Sequence, residues 1–202
     1  MTKAKEAVEI IVIADRSGSM ESIRSDAIGG FNGFLEEQQA LKGKANLTLV
    51  LFDDKYEVAV DRVPVKKVPK LTTQTFVPRG TTAMNDAIGK ALATLEELNP
   101  AKAVICIITD GWENASREYT REQVKAKIQE AEAKGYQVQF LAANMDAYQA
   151  SASYGISIDT TIAFNGVNGA VGAQGPAGPQ GQSIQEALLV ASASTRSYRG
   201  EV

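Results

Sequence analysis

Short, almost unbroken apolar runs alternate along this chain with longer stretches of helical periodicity, and that alternation narrows the possible folds more than any other feature. Val8 to Ala14 (VEIIVIA) and Ala103 to Asp110 (AVICIITD) read as strands buried on both faces, which requires a sheet covered by helices on both sides. Val138 to Asn144 (VQFLAAN) and Thr160 to Phe164 (TTIAF) read as later strands, with a short helix from Ala147 to Tyr154 between them. Ile23, Ala27, Ile28, Phe31 and Leu35 keep helical spacing. Gly29 and Gly30 weaken that helix by up to ~1 kcal/mol each. A stronger amphipathic helix runs through Met84, Ala87, Ile88, Ala91, Leu92, Leu95 and Leu98, and Asn99-Pro100 ends it. Thr120 to Gln123 is a capping box opening a helix through Val124, Ile128 and Ala131, which Gly135 stops. Asn46 to Asp53 alternates, and Asp53-Asp54-Lys55 turns it into Tyr56 to Arg62 as an antiparallel edge hairpin. The order βα, hairpin, then repeated αβ units predicts an α/β, Rossmann-like doubly wound fold, with a mostly parallel sheet and helices on both faces.

Composition limits the functions. The 202 residues suit a single domain, 1–202, and the formal net charge of -3 with interspersed signs gives no footprint for nucleic acid or anionic lipid. The single cysteine, Cys106, lies in an apolar run, so no internal disulfide is possible and a reduced compartment is expected. The first residues lack a signal-peptide pattern, and no segment approaches the roughly 18 apolar residues of a membrane span; the expected location is the cytoplasm. Histidine is absent, which excludes Ser-His-Asp and Cys-His chemistry and histidine-ligated zinc. Any metal site must therefore lean on oxygen donors, which suit magnesium, calcium or manganese.

Gly166, Gly169, Gly172, Gly175, Gly178 and Gly181 keep a strict period of three, a collagen-like insertion over 166–182. It reads as a surface excursion of a monomer, with a triple-helical trimer as the alternative. Ser183 to Glu186 is a second capping box and starts a C-terminal helix, 183–199, whose one face holds Ile184, Ala187, Leu188, Ala191 and Thr195.

The chemistry gathers at strand ends. The first buried strand closes on Asp15-Arg16-Ser17-Gly18-Ser19, a D-x-S-x-S pattern, and a later one on Thr109-Asp110-Gly111. Arg79 to Ala87 (RGTTAMNDA) leads into the strongest helix. In open parallel sheets, ligands bind outside the carboxyl ends of the strands where strand order reverses. If the two strands are neighbours there, Asp15 and Asp110 face one crevice, and Ser17, Ser19 and Thr82 add hydroxyl oxygens. Two carboxylates just neutralise a divalent ion, so an acidic group from a partner is attracted to the open coordination place.

Together Asp15, Ser17, Ser19, Thr82 and Asp110, with GTTAMNDAIGKAL and IITDGWEN, resemble the metal-ion-dependent adhesion site of von Willebrand factor A domains over about residues 7–165. The C-terminal ASASTRSYR resembles the last helix of bacterial and phage members. The resemblance implies six strands in the order 3-2-1-4-5-6 and a bound Mg2+ or Mn2+. It also implies that the serines, and often the threonine, ligate directly, while the aspartates can act through water. Thr82 matches the motif threonine, lying four residues before Asp86, with Thr81 as the fallback.

The expected function is a metal-dependent, non-catalytic module that binds a protein partner through an Asp or Glu carboxylate. Two alternatives stand beside it: a trimeric assembly protein built on the Gly-X-Y segment, and a metal-assisted phosphohydrolase using Ser17 or Ser19. Other features have plainer readings. Asp53 and Asp54 read as turn residues, Asp86 as a carboxylate on a helix dipole, and Cys106 as a small hydrophobe. Trp112 reads equally as a partner contact or as packing. Arg16 and Arg79 read as steering charges or as solvated ones.

Overall fold

The computed structural model describes residues 7–143, 146–164 and 183–199. The insertion at 166–182 lies outside them. Six strands form one sheet: β1 (Val8–Asp15), β2 (Ala45–Phe52), β3 (Tyr56–Pro64), β4 (Ala103–Thr109), β5 (Gln137–Ala143) and β6 (Thr161–Phe164). Their order is β3-β2-β1-β4-β5-β6, with only the β2–β3 hairpin antiparallel. Every residue of β1 and β4 is buried, which is why their sequences show no polar alternation. β3, on the edge, is mostly exposed and carries the charged residues Glu57, Asp61 and Arg62.

Helices cover both faces. Val8, Ile10, Val12 and Ala14 point to the side packed by α1 (Arg24–Ala40) and α5 (Ile184–Arg199), through Phe31, Phe34, Leu35, Ala187 and Leu188. Ile11 and Ile13 point to the side packed by α2 (Met84–Leu98), α3 (Arg121–Ala133) and α4 (Ala147–Ser153). Among the described residues no helix is long and apolar enough to cross a membrane. A 3-10 helix, Gly18–Ile23, precedes α1 and carries Ser19. The sequence pattern did not separate it from the helix that follows.

Local signals behave as their chemistry requires. Thr120 and Gln123 exchange both hydrogen bonds of a capping box at the start of α3, as do Ser183 and Glu186 before α5. Gly135 closes α3 with φ +82°, a conformation that costs glycine nothing. α5 meets α1 along a polar seam: Gln38 Nε2 donates to Ser192 Oγ at 2.9 Å and Thr195 Oγ1 at 2.5 Å. Arg199, buried, donates to the carbonyls of Gln38 and Leu41 at the C-terminal end of α1, where a cation complements the helix dipole.

Gly89 of α2 is fixed by packing. A Cβ there would overlap the Tyr119 ring, lying 2.5 and 2.7 Å from its two Cδ atoms. Alanine favours a helix interior by ~1 kcal/mol over glycine, yet Gly89→Ala is expected to lower stability by about 1–3 kcal/mol because the ring must be displaced. Denaturant titration of Gly89→Ala, alone and with Tyr119→Ala, checks this. A destabilisation that Tyr119→Ala does not relieve refutes the account.

Candidate metal centre

β1 and β4 are parallel neighbours with Ala14 opposite Ile108. Asp15 therefore ends its strand beside Thr109, and Asp110 follows one residue later. The chain leaves β1 towards β2 on one side, while β4 lies on the other. This is the place where strand order reverses.

Asp15 is fully buried and doubly held. Its Oδ1 accepts the Ser17 backbone N–H at 2.6 Å, and its Oδ2 accepts the Thr109 hydroxyl at 2.6 Å. The Ser17 and Ser19 hydroxyls are 3.0 Å apart, and Ser19 Oγ donates to Asp110 Oδ1 at 2.6 Å. Thr82 joins from the segment before α2. Its Oγ1 and the Ser19 Oγ lie 3.5 and 3.6 Å from the position a Cβ would take on Gly111. Thr82 is buried while Thr81 is exposed, which favours the former as the inward oxygen. All five residues singled out in the sequence thus meet at one rim of the sheet.

The electrostatics are unusual for surface carboxylates. Burial pushes Asp15 up to about 6, against the hydrogen bonds from Thr109 and Ser17, and the nearby Asp110 charge adds to the rise. Burial also raises Asp110, opposed by the Ser19 hydroxyl. Two desolvated carboxylates facing each other disfavour their own ionisation, and a cation between them removes that cost. The donors are carboxylate and hydroxyl oxygens, the set that Mg2+ and Mn2+ accept. Among the described residues no group of three or more Asp, Glu, Cys or His side chains is placed to hold a metal ion, and of the five residues at this centre only Asp15 and Asp110 can carry charge. Its residues fit a divalent ion whose charge they balance without excess.

The supports around the centre were not legible as such. Asp53 does accept the Lys55 N–H at 2.8 Å, as a turn residue should, but it is fully buried. Its Oδ2 accepts Arg79 Nε at 2.8 Å and faces Arg16 Nη2 at 3.1 Å, and its carbonyl accepts the Ala83 N–H at 2.8 Å. Burial alone would raise Asp53. The bonds from Arg79 and Lys55 and the two guanidinium charges outweigh it and hold the carboxyl below its ordinary value. Arg16 is buried between Asp53 and Glu57, so it is neither a solvated charge nor one free to steer a ligand. Gly80, at φ +64°, lets its loop pass Asp54 and accept the Gly18 N–H at 3.2 Å. Asp86 accepts the N–H groups of Arg117, Glu118 and Tyr119 at 2.8–2.9 Å. Those bonds overcome its burial and lower its pKa. Trp112, beside Asp110, is 45% exposed.

The sequence matches no protein-family model and no curated protein. The structure resembles several solved ones. A von Willebrand factor type A protein from Catenulispora acidiphila is 17% identical with a TM-score of 0.59, covering 93% of this chain and 42% of that one. The vWF domain of the type V pili tip protein Mfa5 from Porphyromonas gingivalis is 11% identical with a TM-score of 0.64, and 98% of each chain is covered. The manganese-loaded TRAP protein from Plasmodium vivax is 18% identical with a TM-score of 0.51, covering 68% of this chain and 57% of that one. The chain thus spans 42% and 57% of the length of two of these neighbours and nearly all of the third. At these identities the likeness establishes the fold, which is that of von Willebrand factor A domains.

Proposed function

We propose that this chain is a divalent-metal-dependent protein-binding module of the adhesion type. Asp15, Ser17, Ser19, Thr82 and Asp110 hold Mg2+ or Mn2+, and a carboxylate from a protein partner completes the coordination. One observation carries the reading: two buried carboxylates at the ends of neighbouring parallel strands, linked through the Ser17 N–H and the Ser17 and Ser19 hydroxyls. A manganese-loaded protein and a pilus tip protein among the structural neighbours support it.

A divalent ion held by these residues would supply a Lewis-acidic place for a partner's carboxylate. The protein's own residues set the charge and the direction. Asp15 and Asp110 together neutralise a divalent ion, and the hydroxyls of Ser17, Ser19 and Thr82 add no charge. The incoming acidic group therefore meets no electrostatic penalty from a third carboxylate of the centre. We read this module as non-catalytic: with both carboxylates committed to the ion, no base is left to activate either serine. We further propose that the chain is a cytoplasmic monomer in which the Gly-X-Y segment is a surface excursion, with a Gly-X-Y trimer as the alternative. Solution mass measured with and without residues 166–182 separates monomer from trimer.

Metal binding and partner capture test the function together. Purified protein is expected to take up one equivalent of Mn2+, and Asp15→Ala to take up none. A partner captured from the native host is expected to be released by a chelator and not to be captured by Asp15→Ala. Capture that persists in metal-free buffer rejects the reading.

A further inference from the structure

Helix α2 begins without a cap of its own. Ala83 precedes it, and no side chain caps the helix from that position. An α-helix leaves its first N–H groups without intrahelical acceptors, and they need partners from elsewhere. Here most of those partners come from one distant segment, Glu113 to Ser116, just after Asp110. Glu113 Oε2 accepts the Asn85 N–H at 2.7 Å, and Ser116 Oγ accepts the Asp86 N–H at 3.0 Å. Asn114 makes the tightest link to the site. Its Oδ1 accepts the Thr82 N–H at 2.9 Å, while its own N–H donates to the Thr82 carbonyl at 3.0 Å. Glu113 in turn fixes this segment, its Oε1 accepting the N–H groups of Ala115 and Ser116 at 2.8 and 2.7 Å.

The consequence is geometric. Asp110 and Thr82 are 28 residues apart in sequence, yet a two-way clasp four residues beyond Asp110 grips the backbone of Thr82. The Thr82 backbone cannot shift without breaking bonds to the very loop that carries Asp110. We infer that Asn114 is a positioning residue of the metal centre: through Oδ1 it fixes the Thr82 backbone, from which the hydroxyl reaches the rim beside Gly111, and so sets the affinity for the ion without touching it. The inference rests on the proposed metal centre and deepens it.

The backbone half of the clasp survives any substitution except proline. Removing the side-chain half should therefore loosen Thr82 without unfolding the loop. A single net hydrogen bond is worth a factor of roughly three to ten. Asn114→Ala is expected to weaken Mn2+ binding by about that factor, read from the electron paramagnetic resonance signal of unbound Mn2+. Asn114→Asp keeps the acceptor and is expected to bind at least as tightly as the unaltered protein. The decisive comparison uses Thr82→Ala. If Asn114 acts through the Thr82 hydroxyl, adding Asn114→Ala to Thr82→Ala changes affinity by less than about twofold. Thermal unfolding of the same metal-free proteins identifies any variant that does not fold, and Asn114→Ser replaces it. Equal affinity in Asn114→Ala, or an undiminished loss on top of Thr82→Ala, overturns the inference while the metal centre stands. Absence of Mn2+ binding by the unaltered protein overturns both.

Discussion

Asp15→Asn is expected to make the metal-free protein more stable at neutral pH while abolishing its response to Mg2+ and Mn2+. The Asp15 carboxyl has an ordinary value of 3.8 and stands at about 6 in the fold. The folded protein therefore binds a proton there more tightly than the unfolded chain does. From this group, stability is full below about pH 4 and is lost as pH rises through about 6. The difference amounts to roughly 3 kcal/mol at pH 7.5, or about 5–10 °C in melting temperature for a chain of this size. The asparagine fits the same contacts. Its Oδ1 can keep the Ser17 N–H, and Thr109 can turn its hydroxyl to the Gly111 carbonyl, 3.1 Å away, while accepting from Nδ2. Metal-free Asp15→Asn should thus melt about 5–10 °C above the unaltered protein at pH 7.5, with the gap narrowing as pH falls through about 6 and closing only below about pH 4. Added Mn2+ should raise only the unaltered protein, by mass action on the folded state. Identical pH profiles for the two proteins, or a metal-induced shift in Asp15→Asn, would refute the electrostatic account of the centre.

The second large effect is expected at Asp53. This buried carboxylate compensates Arg16, whose side chain is 5% exposed, and tethers Arg79. Without Asp53, Arg16 keeps only the half-exposed Glu57, and breaking a buried ion pair typically costs about 3–5 kcal/mol. Asp53→Ala is therefore expected to lower the melting temperature by about 10 °C or more, and to weaken metal binding by freeing the Arg79–Thr82 segment. Arg16→Met in the same background removes the stranded charge and should recover at least half of the lost stability. Its sign comes from the same pairing: because Asp53 is held below its ordinary value, its contribution is present at neutral pH and fades only as pH falls through the acid range. Urea titration of the single and double variants measures this. A double variant no more stable than Asp53→Ala would mean that the buried guanidinium is not what the loss reflects.

These two positions show what a sequence can and cannot disclose. Asp15 was legible because it ends a strand whose five preceding residues, Ile10 to Ala14, are all apolar, and a charged residue there must either face a crevice or be paired. Ser17, Ser19, Thr82 and Asp110 were legible by their places at the ends of elements. The sheet order followed from the family resemblance, and the layers from runs such as AVICIIT that demand cover on both faces. Asp53 was not legible, because Asp-Asp-Lys after a strand has the chemistry of a turn and half of its bonding is a turn. Its other half lies with Arg16 and Arg79, 37 and 26 residues away. Asn114 and Glu113 escaped for the same reason: the cap of α2 is supplied from across the fold, and nothing next to Met84 announces it. Trp112 has the exposure a partner contact needs.

The central place of β1 has a mechanical consequence. Both of its neighbours run parallel to it, paired from Val8 to Asp15 on one side and Glu9 to Ala14 on the other. Were a partner seated at Asp15 as proposed, tension between it and the chain before Val8 would run along the strand axis. The ladders on both sides then bear the load together, in shear, so the domain resists being pulled apart there instead of unzipping one bond at a time.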